Sequence, residues 1–436
     1  MTPAARISAV IDILGLIEAL DRPADRVVEH WHRGHRFAGS KDRAAINNLL
    51  YGVLRHRAML VWAIQQHADE RAVGPRSMVL AELAHDESLD KAGVSVLFDS
   101  SRYGPATLND DEEFLLTELL AAMHAYTGIP SWVGANCPEW LYQEISNSLG
   151  DSAAAEMLAM QHRPPLDLRT NRIKATPEEV IRALAAEGVT AERCPHASGA
   201  LRVFERASVR GTAAYRDGLI EVQDEGSQMA SALVDARPGQ TIIDLCAGAG
   251  GKSLALAASM TNKGVIHACD VNASRLRRMG PRLRRAGASI VQAHKISGDD
   301  DPWFDGCVGT ADRVLIDAPC TGIGTTRRNP DLPWRLTRND IDRNVSLQRN
   351  LLDRGATLVA PGGRLIYVTC SLLEQENGER VLEFLSAQPA FGAVPVGQIW
   401  PGVLDSPAPH DGDGVLLTPD RYGTDGFFVA VLERRE

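Results

Sequence analysis

The 436-residue sequence predicts a doubly wound α/β domain in its C-terminal half, behind an all-helical domain and a small mixed one. Three observations carry that prediction. From about residue 236, short apolar runs rich in β-branched residues alternate with helical stretches. TIIDLC (241–246), GVIHACD (264–270), DRVLIDA (312–318), GRLIYVTC (363–370) and FFVAVLE (427–433) are the runs. SLALAASM, SRLRRMGPRLRRAG and QRNLLDRGATLVA are the helical stretches between them. This alternation builds a sheet covered on both faces, and the first four runs read as buried parallel strands. Residues 1–125, by contrast, read as helical: Ala45, Leu49, Val53 and Leu54 fall at helical spacing in KDRAAINNLLYGVLRHRAML. The stretch from 84 to 109 is polar and turn-rich and reads as a loop. Between the two, residues 126–235 mix short helices with the strand-like PPLDLRTNRI and GALRVFE, broken at Pro164-Pro165. The expected domains are therefore 1–125, 126–235 and 236–436, which suits a chain too long for one core.

The opening MTPAARISAVIDILGLIEAL reads as an amphipathic helix without a cleavage signal, and no apolar run is long enough to span a bilayer. A cytoplasmic monomer without membrane contact is expected. The seven cysteines (137, 194, 246, 269, 307, 320, 370) form no CxxC pair, which argues against a disulfide framework and a zinc site; no metal is expected. The net charge of −10 does not suggest nucleic-acid binding, but its distribution does. Arg275, Arg277, Arg278, Arg282, Arg284 and Arg285 crowd one segment, Arg327, Arg328, Arg335 and Arg338 another. Arg43, Arg55 and Arg57 share a third. Such arginines suit bidentate phosphate contacts to RNA; solvated helix faces are the alternative.

A glycine-rich turn follows the first strand: Cys246, Ala247, Gly248, Ala249, Gly250, Gly251, Lys252. Between a strand and a helix, such a turn lets a ligand approach the backbone and aims amides at it. A dinucleotide fingerprint would need glycine where Ser253 stands, and a phosphate-binding Walker loop would need glycine where Cys246 stands. Both are near misses; the looser glycine turn that S-adenosylmethionine-binding folds carry at this place is the favoured reading, with a purely structural tight turn as the alternative. Asp270, ending the next strand, could accept hydrogen bonds from ribose hydroxyls, or merely cap a helix.

Two cysteines stand just past two later strands, Cys320 after LIDAP and Cys370 after LIYVT. In a doubly wound sheet, ligands bind outside the carboxyl ends of the strands. The glycine turn, Asp270, Asp317, Cys320 and Cys370 should thus share one crevice. Two thiols suit methylation of a pyrimidine carbon. A thiolate adding to C6 of cytosine makes C5 nucleophilic, and a carboxylate such as Asp317 can bond N3 and the exocyclic amine.

The motifs VQDEGSQ (222–228), DLCAGAGGK (244–252), ACD (268–270), DAPCTGIGTTRRNPD (317–331), LIYVTCS (365–371), EN (376–377) and DGFFVA (425–430) resemble, in order, those of the RsmB-like (Sun/Fmu-type) ribosomal RNA cytosine-5 methyltransferases. The resemblance implies a Rossmann-like class I methyltransferase domain using S-adenosylmethionine, acting on small-subunit (16S) rRNA. It assigns the nucleophile to the cysteine of TCS, Cys370, and adduct release to the cysteine of PC, Cys320. It also implies that SKDRAAINNLLYGVLRHRAML belongs to a NusB-like RNA-binding domain. Ala249 replaces the family's usual proline. The aspartate that usually follows the third strand is not evident in IVQAHKISGDDDPWF, where Asp299–Asp301 are displaced. Rival readings are a P-loop NTPase and a non-catalytic RNA-binding assembly factor.

Overall fold

A computed structural model describes residues 1–436 except 21, 205–207, 299, 410 and 411. The chain divides into two compact units, one of Met1–Arg163 with Thr326–Leu336, the other of Pro164–Thr325 with Thr337–Glu436. No helix of the described residues is long and apolar enough to cross a membrane.

In the first unit, the helices Pro3–Leu20, Ala24–Gly34, Ser40–Gln65, Pro75–His85 and Asp110–Ala122 close around Val10, Ile13, Leu50, Leu54, Ile64 and Leu116. Asn109 starts the last of these with a reciprocal cap: it accepts from Glu112 N at 2.9 Å, and Glu112 accepts from its own amide at 3.0 Å. The polar stretch before it carries only the short helix Lys91–Ser95. Three more helices, Ser131–Gly134, Glu139–Leu149 and Ala153–Ala159, belong to the same unit, so it runs on past 125 to Arg163. The change of architecture coincides with Pro164-Pro165, where helix cannot continue.

The second unit opens with a four-stranded antiparallel sheet: β1 (Leu166–Thr170), β2 (Ala191–Arg193), β3 (Ala200–Val203) and β4 (Ile220–Val222), in the order β2-β3-β1-β4. Buried Asp167 fixes this sheet, taking Arg202 Nε at 2.7 Å and Nη2 at 3.0 Å. The large sheet follows: β5 (Thr241–Asp244), β6 (Val265–Asp270), β7 (Val291–Lys295), β8 (Ala311–Asp317), β9 (Val359–Thr369), β10 (Phe391–Ala393), β11 (Gly414–Leu417) and β12 (Phe427–Arg434). Its order is β10-β12-β9-β8-β5-β6-β7, with β11 on β12. β9, β8, β5, β6 and β7 are parallel; the apolar runs predict the first four, while β7 (VQAHK) is mostly exposed and carries no such run. β10, β11 and β12 pair antiparallel. The chain winds outward from β5 through β6 to β7, then returns to place β8 on the other side of β5. That reversal opens a crevice at the carboxyl ends of β5 and β8.

Candidate active site

The glycine turn leaves β5 at Asp244. Gly248 and Gly250 adopt φ of +56° and +81°, a region that only glycine enters without strain. A Cβ on Gly250 would come within 2.6 Å of Met279 Cγ. A Cβ on Gly248 would meet nothing within 4 Å, so that glycine borders open space. Asp270 shapes the turn: its carboxylate accepts from Gly248 N at 2.8 Å and Asn272 N at 2.6 Å. Arg282 braces the turn from outside, donating to Ala249 O at 2.6 Å while pairing with Glu221 at 3.1 Å. Lys252, in the first turn of the helix Gly251–Ser259, sets its Nζ 2.7 Å from Asp317 and 5.2 Å from the Phe427 ring centre. The Cys246 thiol is pushed well above its ordinary range by burial and the carboxylates around it, so it stays inert.

Cys320 and Cys370, fifty residues apart, meet with their sulfurs 3.4 Å apart, and Cys370 N donates to Cys320 Sγ at 3.3 Å. Cys320 is held as a thiol: its hydrogen bond with Cys370, then burial, raise its pKa well above the ordinary value. Beneath the pair lies a buried network. Glu376, fully buried, accepts from Thr321 N at 2.9 Å, Thr321 Oγ1 at 2.5 Å and Gln348 Nε2 at 3.1 Å. Gln348 also donates to Pro319 O at 2.9 Å, fixing the residue before Cys320. Asn377 holds the other loop, donating to Ser371 O at 3.0 Å and accepting from Thr369 Oγ1 at 2.5 Å. The loops are stitched together through backbone: Gly324 N to Cys370 O at 2.9 Å, and Gly426 N to Gly324 O at 2.7 Å. A Cβ on Gly426 would come within 2.6 Å of Gly324 Cα, which accounts for the glycine of DGFFVA.

Two comparisons identify this architecture. The sequence pattern of the family described as 16S rRNA methyltransferase RsmB/F matches residues 231–433, and that of the RsmF/B-like ferredoxin-like domain matches 137–210. Ribosomal RNA small subunit methyltransferase B of Pectobacterium atrosepticum is 30% identical over 424 residues, covering 91% of this chain and 92% of that one. Its counterpart from Serratia proteamaculans is 30% identical over 391 residues, covering 86% and 89%. The chain belongs to the RsmB/F family of 16S rRNA methyltransferases. Among solved structures, the crystal structure of PH0851 superposes over 100% of this chain and 99% of its own, with a TM-score of 0.77 and 29% identity. A methyltransferase homolog from Pyrococcus horikoshii covers 70% and 97%, with a TM-score of 0.60 and 27% identity.

As an RsmB/F-type rRNA methyltransferase, the protein uses S-adenosylmethionine. Its residues fit that cofactor. Open space lies beside Gly248, and two buried acceptors near the turn, Asp244 Oδ1 and Gln223 Oε1, have no partner among the described residues. Burial raises the Asp244 pKa to about 7, even with Ser253 Oγ donating to its other oxygen at 2.6 Å. Neither Asp244 nor Gln223 was singled out from the sequence, although both stand inside quoted motifs. The same is true of the network around Glu376, whose EN signature gave no hint of what it would hold. Of the displaced acids after β7, Asp301 caps its own turn, accepting from Ser297 N at 2.7 Å and Trp303 N at 2.9 Å, Asp300 pairs with Arg354 at 3.3 Å, and Asp299 lies outside the described residues.

The arginines expected to hold RNA divide. Arg275 and Arg278 are exposed on the helix Ala273–Ala286, with Arg277 and Arg284. Arg282 points inward, as does Arg285, which shares Glu221 with it. In the helical unit, Arg43 donates to Ala38 O at 2.9 Å. Arg55 donates to Arg327 O at 3.3 Å and Arg57 lies 5.0 Å over the Trp334 ring; burial lowers both guanidinium pKa values. The Arg327 side chain is buried and Arg328 is half-buried. The expected contacts at Arg55, Arg57, Arg282 and Arg327 thus fall on side chains already committed to packing or ion pairs.

Proposed function

We propose that this rRNA methyltransferase acts on carbon 5 of a cytosine through a covalent adduct between Cys370 and C6. The observation that carries the reading is the pair of sulfurs 3.4 Å apart just past the ends of β8, whose last residue is Asp317, and β9. When bound against the Gly248–Gly251 turn and Asp270, S-adenosylmethionine supplies an electrophilic methyl group.

The chain's own residues do the rest. Cys320 keeps its proton, and the attack on C6 is assigned to Cys370. The Cys320 S–H can donate to Cys370, stabilising the negative sulfur before it attacks. Addition to C6 turns the ring into an enamine reactive at C5. Asp317, oriented by Lys252 at 2.7 Å, accepts from the exocyclic amine and holds the ring against Cys370. Release requires loss of the C5 proton. Cys320, once it has given its own proton to solvent, takes the C5 proton; the C5–H electron pair re-forms the C5=C6 double bond as the C6–S bond breaks and Cys370 leaves as thiolate. RNA is gripped by the exposed arginines 275, 277, 278 and 284.

Substituting each cysteine tests the roles. Cys370→Ala should abolish methylation and form no adduct. Cys320→Ala should add to C6 and accept the methyl group, then fail to eliminate. That variant should accumulate a protein–RNA complex that survives denaturing electrophoresis, and the double variant should show none. A complex with Cys370→Ala but not with Cys320→Ala would reverse the assignment. Full activity in both variants would end the two-thiol reading.

A further inference from the structure

We propose that His56, Glu82 and His85 form a zinc site within the helical unit, clamping the helix Ser40–Gln65 to the helix Pro75–His85. Glu82 and His85 are three residues apart, so they share one face of their helix. His56 reaches them from the other helix, its Nδ1 2.8 Å from Glu82 Oε2. The His56 and His85 rings lie 4.7 Å apart, tilted by 37°. One ligating atom from each of the three residues falls within 4.8 Å of the others.

The backbone makes room for this cluster. Gly52 stands one helical turn before His56, and a Cβ there would collide with the Glu82 carboxylate. Any other residue at 52 would force the Glu82 carboxylate to shift from its place beside His56. The side chains are also reachable, with 32% of His56 and 12% of Glu82 exposed, so an ion can enter from solvent.

The donor set selects the metal. Two imidazole nitrogens and one carboxylate oxygen suit zinc, which binds such ligands at about 2.0–2.2 Å in tetrahedral geometry. Calcium and magnesium demand more oxygens than this cluster offers. Closure needs the three ligands to draw together by about an ångström, and water completes the fourth position. His124 is the next ring, centred 5.2 Å from His85, but its Nδ1 faces Glu87 at 3.8 Å and it stays outside the ligand set. The absence of CxxC gave the opposite expectation because these ligands contain no cysteine and are 26 residues apart from first to second.

The experiment uses the full chain, stripped with chelator and titrated with Zn²⁺ by calorimetry, with Co²⁺ absorption reporting geometry. One Zn²⁺ per chain is expected, together with the intense visible band of tetrahedral Co²⁺ and a higher melting temperature. His56→Ala, Glu82→Gln and His85→Ala should each weaken binding at least about a hundredfold, and Gly52→Ala, which keeps every ligand, about tenfold. Circular dichroism identifies any variant that fails to fold, and Gly52→Ala and Glu82→Gln then carry the test. Zn²⁺ affinity equal in the wild type and in folded Glu82→Gln or His85→Ala would overturn the site. So would no heat of binding in the wild type, or a loss in His124→Ala as large as in His85→Ala.

Discussion

The core of the helical unit and the carboxyl edge of the large sheet are both buried, yet they are built from different materials. In the helical unit, Leu50, Leu54, Leu60 and Ile64 are at most 2% exposed, and the contacts are apolar and non-directional. At the sheet edge, Glu376, Gln348, Thr369 and Ser371 are buried just as completely, and each contact is a directed hydrogen bond. Apolar packing tolerates small shifts, while a buried polar group left without its partner costs the full desolvation of that group. The edge therefore holds two sulfurs in one geometry, and the helical core holds a shape.

Substitutions in the two regions should separate stability from chemistry. The largest effect is expected from Leu50→Ala, which should cost about 2–5 kcal/mol of unfolding free energy. The kcat of the folded fraction should stay unchanged; a fall in kcat measured well below the melting temperature would show that the helical core shapes the catalytic edge. Glu376→Gln turns a donor toward Thr321 or Gln348 and shifts the Cys320 loop. It should lower kcat about a hundredfold, the scale of an ångström's misplacement, with the KM for RNA unchanged. If KM rises instead, the network serves RNA binding.

Asp244 sharpens the contrast through pH. Its folded pKa of about 7 lies above the ordinary carboxylate value, so the native state keeps a proton that the unfolded chain releases. Its contribution is fully present below the unfolded pKa near 4 and is lost as pH rises toward 7. Between pH 5 and 7.5 the wild type should lose about 1–3 kcal/mol more stability than Asp244→Asn, measured by denaturant unfolding. Equal slopes would mean that Asp244 is ionised in the native protein. The smallest effect is expected from Arg275→Glu with Arg278→Glu, on an exposed face that supports neither core. RNA binding should weaken regardless of sequence, and the slope of log affinity against log salt should drop by about 2. An unchanged slope would leave that face merely solvated.

The catalytic half was legible because parallel strands buried on both faces leave an unambiguous apolar signature, and because turns that require glycine at positive φ restrict their own sequence. The presence of β5, β6, β8 and β9, and the standing of Cys320 and Cys370 just past two of them, follow from that signature. β10 and β11 escaped notice because strands of three and four residues carry too little pattern. The fate of individual arginines was equally hidden. Arg278 and Arg282 stand on one helix in the same run, and only the neighbour Glu221, on β4, decides that Arg282 turns inward.

Taken alone, the sequence determined the sheet, the glycine turn and the two strand-end thiols, because each depends on local conformation or on periodicity. Tertiary structure alone decided which buried polar groups meet. It joined Glu376 to Thr321 across fifty-five residues and set Gly426 against Gly324. It also placed residues 326–336, which include the last six residues of the motif that carries Cys320, in the helical unit, where Asp331 accepts from Ala24 N at 3.0 Å. A donor and an acceptor three hundred residues apart leave no periodicity in the chain; only the fold brings them within hydrogen-bond reach.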